Sequence, residues 1–156
     1  MSTETGSTNI QSGPGSTGLV VLPAEECWKR LRSHELGRVG VVVGGRPQVF
    51  PVNYAVVQGA VVFRTGVGVK LDAARLGPVC FEIDGWDDRA GTGWSVMVQG
   101  SAREVGNPID PLWAGVRGLR LHTAAPGAHP HAVAIHVDAI SGRYFTDEPI
   151  GPHGRP

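Results

Sequence analysis

The residues best suited to bind a ligand lie where an apolar run gives way to glycines. Arg64 and Thr65 end that run, and a glycine-spaced segment then leads to Val69 and Lys70. Glycines let the backbone approach a ligand closely, and amide N–H groups with a lysine ammonium satisfy anionic oxygens. A cation at a helix start is slightly unfavourable alone, which favours an anionic partner for Lys70. The sequence therefore predicts a phosphate-binding corner formed by these four residues.

A second stretch, Pro51-Val52-Asn53-Tyr54, places a proline inside an apolar strand pattern. A proline removes one donor from the hydrogen-bond ladder, so it belongs at an edge or an opening of a sheet. Backbone groups and the Asn53 amide could hydrogen-bond the polar edge of a ligand there. An ordinary barrel strand with an edge proline is the alternative interpretation of the same residues.

A third stretch begins with Trp94-Ser95, directly after a polar, glycine-containing loop. A tryptophan in this position is usually an anchor in a core or an interface. On the residues alone, ligand binding and simple core packing are both open. No serine or cysteine in the sequence has the context of a catalytic nucleophile. This pattern is consistent with chemistry carried by a cofactor, and equally with a binding protein.

Hydrophobic alternation and glycine turns predict the strands that position these residues. β-Branched runs at 39–43, 48–57 and 60–65 predict three strands, joined by turns at Gly44-Gly45 and Gln58-Gly59. Three more strands are predicted at 79–83, 93–105 and 132–137, the last continuing at 140–145 after a bend. Alternating β-α-β units are missing from this pattern. We therefore expect a mainly β, antiparallel, six-stranded Greek-key barrel.

Short helices complete the predicted elements. Pro23 and the glutamates that follow it start a helix whose apolar stripe contains Cys27 and Leu31. Two further short helices are predicted at 69–76 and 112–119.

The segments 85–93 and 121–130 are predicted to be loops without a metal site. The acidic residues of the first loop lack the ligand spacing of a calcium loop. His122, His129 and His131 have neither a regular spacing nor an acidic partner in the sequence.

The composition describes a globular protein rather than a nucleic-acid or membrane protein. The chain has 156 residues, 41% hydrophobic and 18% charged, with a formal net charge of zero. A neutral chain has no electrostatic preference for nucleic acid or an anionic membrane, and no apolar run is long enough to span one. The N-terminus lacks the features of a signal peptide, so a cytoplasmic location is expected. Cys27 and Cys80 are expected to be small buried thiols, not a disulfide.

Taken together, GRPQVFPVNYAVVQGAVVFRTGVGVKL and WSVMVQG resemble the pyridoxamine-5′-phosphate-oxidase-like flavoproteins, over about residues 22–145. The resemblance implies a split β-barrel and a homodimer with FMN in a groove between two protomers. It also implies that the end of strand 60–65 and Lys70 hold the phosphate, and that the backbone of Pro51 to Tyr54 lines the flavin ring. The strand of Trp94 and Ser95 would reach the flavin from the partner. One departure is Val69, where relatives often have a polar or basic residue.

The resemblance leads to an expected function and two rivals. The expectation is an FMN-binding oxidoreductase that acts on a small organic molecule, without pyridoxamine-5′-phosphate oxidase activity itself. The rivals are an F420-dependent reductase of the same fold and a non-enzymatic flavin or haem binder. The domain prediction is a flavin-binding barrel at 19–147, between a disordered tail at 1–18, rich in serine, threonine and glycine, and a flexible tail at 148–156.

Overall fold

The computed structural model describes residues 18–66, 78–121 and 131–146. Within these ranges the elements are β1 (Gly18–Leu22), α1 (Ala24–Ser33), β2 (Leu36–Val43), β3 (Arg46–Val57), β4 (Ala60–Thr65), β5 (Pro78–Asp87), β6 (Thr92–Glu104), α2 (Trp113–Val116) and β7 (His131–Thr146). None of the helices in these ranges is long and apolar enough to cross a membrane.

Six of the strands form a closed antiparallel ring. Going round the ring, β2 pairs with β3, β3 with β4, β4 with β7, β7 with β6, β6 with β5, and β5 again with β2. Closure leaves these strands with few exposed edges. The prediction of a mainly β, antiparallel barrel of six strands is confirmed.

A seventh strand, β1, extends this ring and was not predicted. It pairs with the C-terminal half of β7, from Leu22↔Gly142 to Gly18↔Thr146, whereas β4 pairs with the N-terminal half of β7. Gly18, which was predicted to be the last residue of the tail, is the first residue of β1. The run Leu19-Val20-Val21-Leu22 is too short to show strand alternation clearly, and its partner lies more than a hundred residues away in the sequence.

Two tight turns fix the register of the central meander. Gly44 and Gly45 have φ angles of 55° and 75°, and Gln58 and Gly59 have φ angles of 47° and 79°. Two consecutive residues with positive φ are typical of the type I′ turn, whose twist matches that of the two strands it joins. The predicted turns at both places are confirmed.

Helix α1 lies across one end of the barrel and contacts β3, β6 and β7. Cys27 and Leu31 are fully buried, as the apolar stripe predicts. The approach to β7 is close, because a Cβ added at Gly142 would lie 2.6 Å from the Cys27 Sγ. The thiols of Cys27 and Cys80 are both free, and Cys80 is only partly buried, contrary to expectation.

A smaller apolar cluster covers the outside of the barrel at β4. It is formed by Ala60, Val62, Val105, Leu112, Val116, Ala132 and Ala134. Here α2 packs on β4 and β7, within the helix predicted at 112–119, which is shorter in the structure. Val61 and Phe63 belong instead to the main core inside the barrel. Successive β4 residues thus face two different apolar clusters, as strand geometry requires.

One loop prediction needs correction. The predicted loop at 85–93 is mostly strand, because β5 continues to Asp87 and β6 begins at Thr92. The glycines and aspartates suggested a loop, but Gly85 and Gly93 are paired within the sheet. The predicted bend between 137 and 140 is confirmed as a bulge within β7, because Gln99 pairs with Ala139 and Gly100 with Val137, so Asp138 is skipped in the register. The helix predicted at 69–76, most of the histidine loop and both distal tails lie outside the described residues.

Candidate functional site

Strand alternation divides the predicted ligand-binding residues between two faces of the barrel. The side chains of Val52, Tyr54 and Thr65 are at most 5% exposed. Pro51 is exposed and Asn53 is partly buried, on the opposite face of β3. Val52 and Tyr54 can therefore offer a ligand only backbone groups, whereas Pro51 and Asn53 can offer side chains.

The Tyr54 side chain holds α1 to the barrel. Its hydroxyl donates a hydrogen bond to the carbonyl of Leu31 at 2.9 Å, and its ring meets Phe81 edge to face, with centroids 4.7 Å apart. Leu31 is in the last turn of α1, where carbonyls have no partner within the helix. Burial raises the pKa of the Tyr54 phenol, so the hydroxyl remains a donor at neutral pH.

The Arg64 side chain performs a similar task for α2. Its guanidinium donates to the carbonyl of Val116 at 3.0 Å and to that of Leu119 at 3.3 Å. These carbonyls lie at and just beyond the C-terminus of α2, where a cation is favourable. If Arg64 contacts a phosphate as predicted, it must do so while it keeps these two hydrogen bonds. Val69 and Lys70, the other predicted side of the corner, lie outside the described residues.

The part of β3 that precedes its ladder with β4 carries backbone groups that could contact a ligand. The ladder between β3 and β4 begins at Tyr54↔Phe63, whereas the ladder with β2 already includes Pro51, Val52 and Asn53. The Tyr54 N–H donates to Glu35, on the β2 side. Because backbone groups alternate in direction along a strand, those of Asn53 point the other way. This is the kind of opening that the proline in the sequence predicts.

A cleft of about 390 Å³ opens next to Asn53. Its walls are the end of α1, the outer side of β3 and the segment after α2, and its lining residues are Leu31, Arg32, His34, Glu35, Asn53, Tyr54, Ala55, Val56, Leu119, Arg120 and Leu121. The volume falls in the range of small-molecule sites. Two arginines against one glutamate give the cleft an excess of positive charge, which favours an anionic ligand.

Sequence reasoning identified only the β3 side of this cleft. In the sequence, Arg32 belongs to the predicted first helix and Glu35 to its end, and Arg120 borders a predicted loop. No local pattern marks them, because they meet Asn53 only once α1 and α2 have packed on the barrel. Their proximity is a tertiary property of the fold.

Trp94 and Ser95 lie on opposite faces of β6. The Trp94 ring packs under α1, with the His34 ring 4.8 Å away edge to face and the Arg30 guanidinium 4.6 Å from the indole centroid. Its position requires Gly85 on the neighbouring strand, since an added Cβ would lie 2.6 Å from the Trp94 Nε1. Trp94 is therefore an anchor for α1. Ser95 faces outward in register with Asp84.

Trp94 and Thr65 lie far apart within one protomer. Trp94 pairs with Tyr144 and Thr65 pairs with His131, thirteen residues apart on β7. At about 3.3 Å per residue this is roughly 40 Å of strand. The pairing along β7 therefore does not bring Trp94 and Ser95 next to Thr65, although β6 itself continues to Glu104 beside that end.

The outward side of β2, β3, β5 and β6 forms a surface that we call the outer wall. Its exposed apolar residues are Leu36, Val42, Val49, Trp86 and Met97, each more than 40% exposed. Across these strands Pro51 pairs with Arg38, Arg38 with Glu82, and Glu82 with Met97. Arg38 bonds both Glu82 and Asp84, at 3.4 and 2.6 Å. Partial burial and the nearby Asp84 raise the pKa of Glu82, against the opposing effect of Arg38.

Near Thr65, His131 Nδ1 contacts a Glu104 carboxylate oxygen at 2.5 Å. His131 was predicted to lack an acidic partner, and that prediction is wrong, because the partner comes from the end of β6. Among the described residues no three histidine, cysteine or acidic side chains come together as a metal site.

The chain belongs to the pyridoxamine 5′-phosphate oxidase family. The family model, described as pyridoxamine 5′-phosphate oxidase, matches residues 23–144. The uncharacterized protein Rv0080 of Mycobacterium tuberculosis is 38% identical over 130 residues, which cover 80% of this chain and 84% of that protein. The resemblance inferred from the sequence is thereby confirmed.

Two solved structures share both fold and sequence with this chain. A FAD-binding protein of Mycobacterium smegmatis is 38% identical with a TM-score of 0.66, covering 80% of this chain and 97% of that one. A candidate pyridoxamine 5′-phosphate oxidase of Corynebacterium glutamicum is 35% identical with a TM-score of 0.70, covering 83% and 99%. The related protein of M. smegmatis is thus a flavin-binding protein with the same overall fold.

Proposed function

We propose that this protein binds a flavin between two copies of the chain and acts as an oxidoreductase on a small organic molecule. The observation that carries the proposal is the cleft at Asn53, which adjoins an edge of β3 without a ladder partner on β4. Such an edge can receive the polar side of a flat ring through backbone groups and the Asn53 amide. A bound flavin would supply the two-electron redox chemistry, and the protein would bind and orient it.

The charges of the cleft suit the phosphate-bearing part of such a cofactor. Arg32 and Arg120 line it, and a guanidinium recognises phosphate or carboxylate oxygens well. Lys70, in the glycine-spaced segment after β4, is the proposed phosphate ligand. Arg64 has a positioning role in this proposal, because it fixes the segment after α2 that forms one wall of the cleft.

FMN and FAD share the flavin mononucleotide part, and the proposal covers both forms. The family resemblance implies FMN. The related protein of M. smegmatis binds FAD, at an identity high enough to favour the dinucleotide here. F420 is the alternative with a different ring and a longer anionic tail.

The proposed second copy explains how the predicted residues can share one ligand. Asn53 and the corner after β4 would come from one chain, and Ser95 from the outer wall of the other. Isologous contact between two outer walls would also bury Leu36, Val42, Val49 and Met97, and two-fold dimers are the commonest oligomers.

The proposal is tested on the purified protein before and after incubation with excess cofactor. Its visible spectrum separates flavin, F420 and haem, and chromatography of the group released on denaturation separates FMN from FAD. We expect a flavin at one per chain, bleached by a chemical reductant and restored by air. A protein that takes up no flavin from either FMN or FAD would contradict the proposal, and uptake of F420 alone would replace it.

A further inference from the structure

An exposed tryptophan at the far end of the outer wall has no role in the site described so far. Trp86, near the end of β5, is 54% exposed. It belongs to a single row across four strands, in which Leu19 pairs with Phe145, Phe145 with Gly93, and Gly93 with Trp86. Side chains in such a row share one face of the sheet.

Gly93 allows the two aromatic rings of this row to meet. The rings of Trp86 and Phe145 are stacked, with centroids 5.6 Å apart and planes 27° from parallel. A Cβ added at Gly93 would collide with both rings. The stack therefore depends on a glycine between the two aromatic positions. We call Trp86 and Phe145 the aromatic platform.

The Trp86 indole is held in place although much of it is exposed. Phe145 covers one face, and the indole N–H donates to the Asp88 carboxylate in the turn that follows β5. A ring fixed in this way loses little rotamer freedom when another ring stacks on its open face. Exposure of a large, pre-organised apolar surface is typical of a binding site.

The platform adjoins the residues proposed to contact the partner's flavin. Ser95 follows Gly93 by two residues on the outward face of β6, so the platform lies one row further along the same surface. Because the platform and Ser95 are one row apart on the same face, a cofactor that contacts Ser95 from another copy can also reach the platform with its tail.

The nearby acidic groups favour a neutral ring over a phosphate. Asp88 is bonded to Trp86, Asp87 accepts the backbone N–H groups of Arg89 and Ala90, and Asp84 is paired with Arg38. Asp87 and Asp88 thus place negative charge beside the platform, which disfavours a pyrophosphate directly on it, whereas the charge of Asp84 is balanced by Arg38. Adenine is uncharged, presents a flat face for stacking, and carries an amino group that can donate a hydrogen bond to a carboxylate.

We propose that the aromatic platform stacks the adenine ring of a flavin adenine dinucleotide whose flavin is bound mainly by the partner chain. This inference rests on the proposed function. It makes Trp86 a specificity residue for FAD over FMN, because only FAD has an adenine to place there.

The test compares FAD and FMN binding to apoprotein of the parent and of Trp86→Ala, by titration of flavin fluorescence. We expect the parent to bind FAD more tightly than FMN. Trp86→Ala should lose roughly 5- to 100-fold in FAD affinity, as for one base–aromatic stack, and keep its FMN affinity. Trp86→Phe should retain most of the FAD affinity. Ile109→Ala, at another exposed apolar residue on a distant loop, should change neither.

The outcomes distinguish this inference from the proposed function. If the parent binds neither flavin, both are wrong. If the parent binds both flavins and Trp86→Ala weakens them equally or not at all, only the adenine assignment is wrong. Sedimentation of Trp86→Ala at the same concentrations gives a further check. Dissociation of the dimer without a change in the FAD-to-FMN ratio would overturn the assignment and make the platform a contact between copies.

Discussion

At the scale of single residues, two predicted ligand-binding side chains hold helices in place. Tyr54 binds the last turn of α1 through Leu31, and Arg64 binds the end of α2 through Val116. The end of α1 and the segment after α2 form walls of the cleft at Asn53. The sequence identifies these positions as special but does not show what their side chains contact, because their partners are distant carbonyls. A residue can thus be necessary for a site without touching its ligand.

Tyr54→Phe tests the first of these contacts. The substitution leaves the Leu31 carbonyl without its buried donor, so the free energy of unfolding should fall by about 1–3 kcal/mol at neutral pH. Burial raises the pKa of Tyr54, so the native state resists ionisation that the unfolded chain undergoes above about pH 10. Stability of the parent should therefore fall as pH rises above that value, and Tyr54→Phe should lose this part of the fall.

Urea unfolding measured between neutral and alkaline pH gives both the free energy of unfolding and its fall with rising pH. Tyr144→Phe, at a tyrosine that is only partly buried, is the matched control. An unchanged alkaline slope in Tyr54→Phe would show that Tyr54 is not the residue responsible.

Substitution of Lys70 tests the predicted phosphate-binding corner. Lys70→Ala should weaken flavin binding by roughly ten- to a hundredfold, the effect of losing one charge-assisted contact. Lys29→Ala is the control, because Lys29 lies on exposed α1 surface, 3.8 Å from Glu26. Flavin titration of both variants decides the matter. Equal affinities in both variants and the parent would show that Lys70 does not hold the phosphate.

At the scale of elements, local sequence patterns predict the meander well and the ring closure poorly. The strands at β2, β3 and β4 follow from β-branched runs and glycine turns, which act within a few residues. Strand β1 depends instead on a partner far away in the chain. The extension of β5 to Asp87 pairs with nearby Thr92, but the glycines and aspartates there hid the strand pattern. Gly85 and Gly93 suggested a loop, yet each makes room for an aromatic ring on a neighbouring strand. A glycine needed for packing looks the same in sequence as a glycine needed for a turn.

The turn between β3 and β4 contains a conformation that its sequence does not favour. Gln58 has a φ of 47°, a region that suits glycine and asparagine but costs energy for glutamine. Gln58→Asn should therefore raise the free energy of unfolding by about 0.5–1 kcal/mol and the melting temperature by a few degrees. Gly59→Ala should do the opposite, because Gly59 has a φ of 79°. Calorimetry of the two variants measures both shifts, and a destabilised Gln58→Asn would show that glutamine is not strained there.

At the scale of the whole molecule, the barrel separates the two halves of the proposed flavin site. Thr65 and Trp94 pair with residues thirteen positions apart on β7, so in the proposed site Ser95 would come from a second copy. The outer wall offers the surface to complete it, with exposed Leu36, Val49 and Met97 around a charged centre at Arg38. Neither property is visible in any one stretch of sequence, because both follow from strand order and register.

Dimerisation and flavin binding should therefore rise and fall together. If each flavin contacts two chains, mass action links its affinity to the dimer equilibrium. Met97→Asp places a charge on the outer wall, where Met97 is 44% exposed, and should weaken both dimer and flavin binding without unfolding the chain. Val96→Asp is the contrasting variant, because Val96 is fully buried in the barrel and a charge there should unfold it. Sedimentation across a dilution series, followed by flavin absorbance, should show flavin release in step with monomer formation. A monomer that keeps one flavin per chain would contradict the shared site, since the cleft at Asn53 would then bind the cofactor alone.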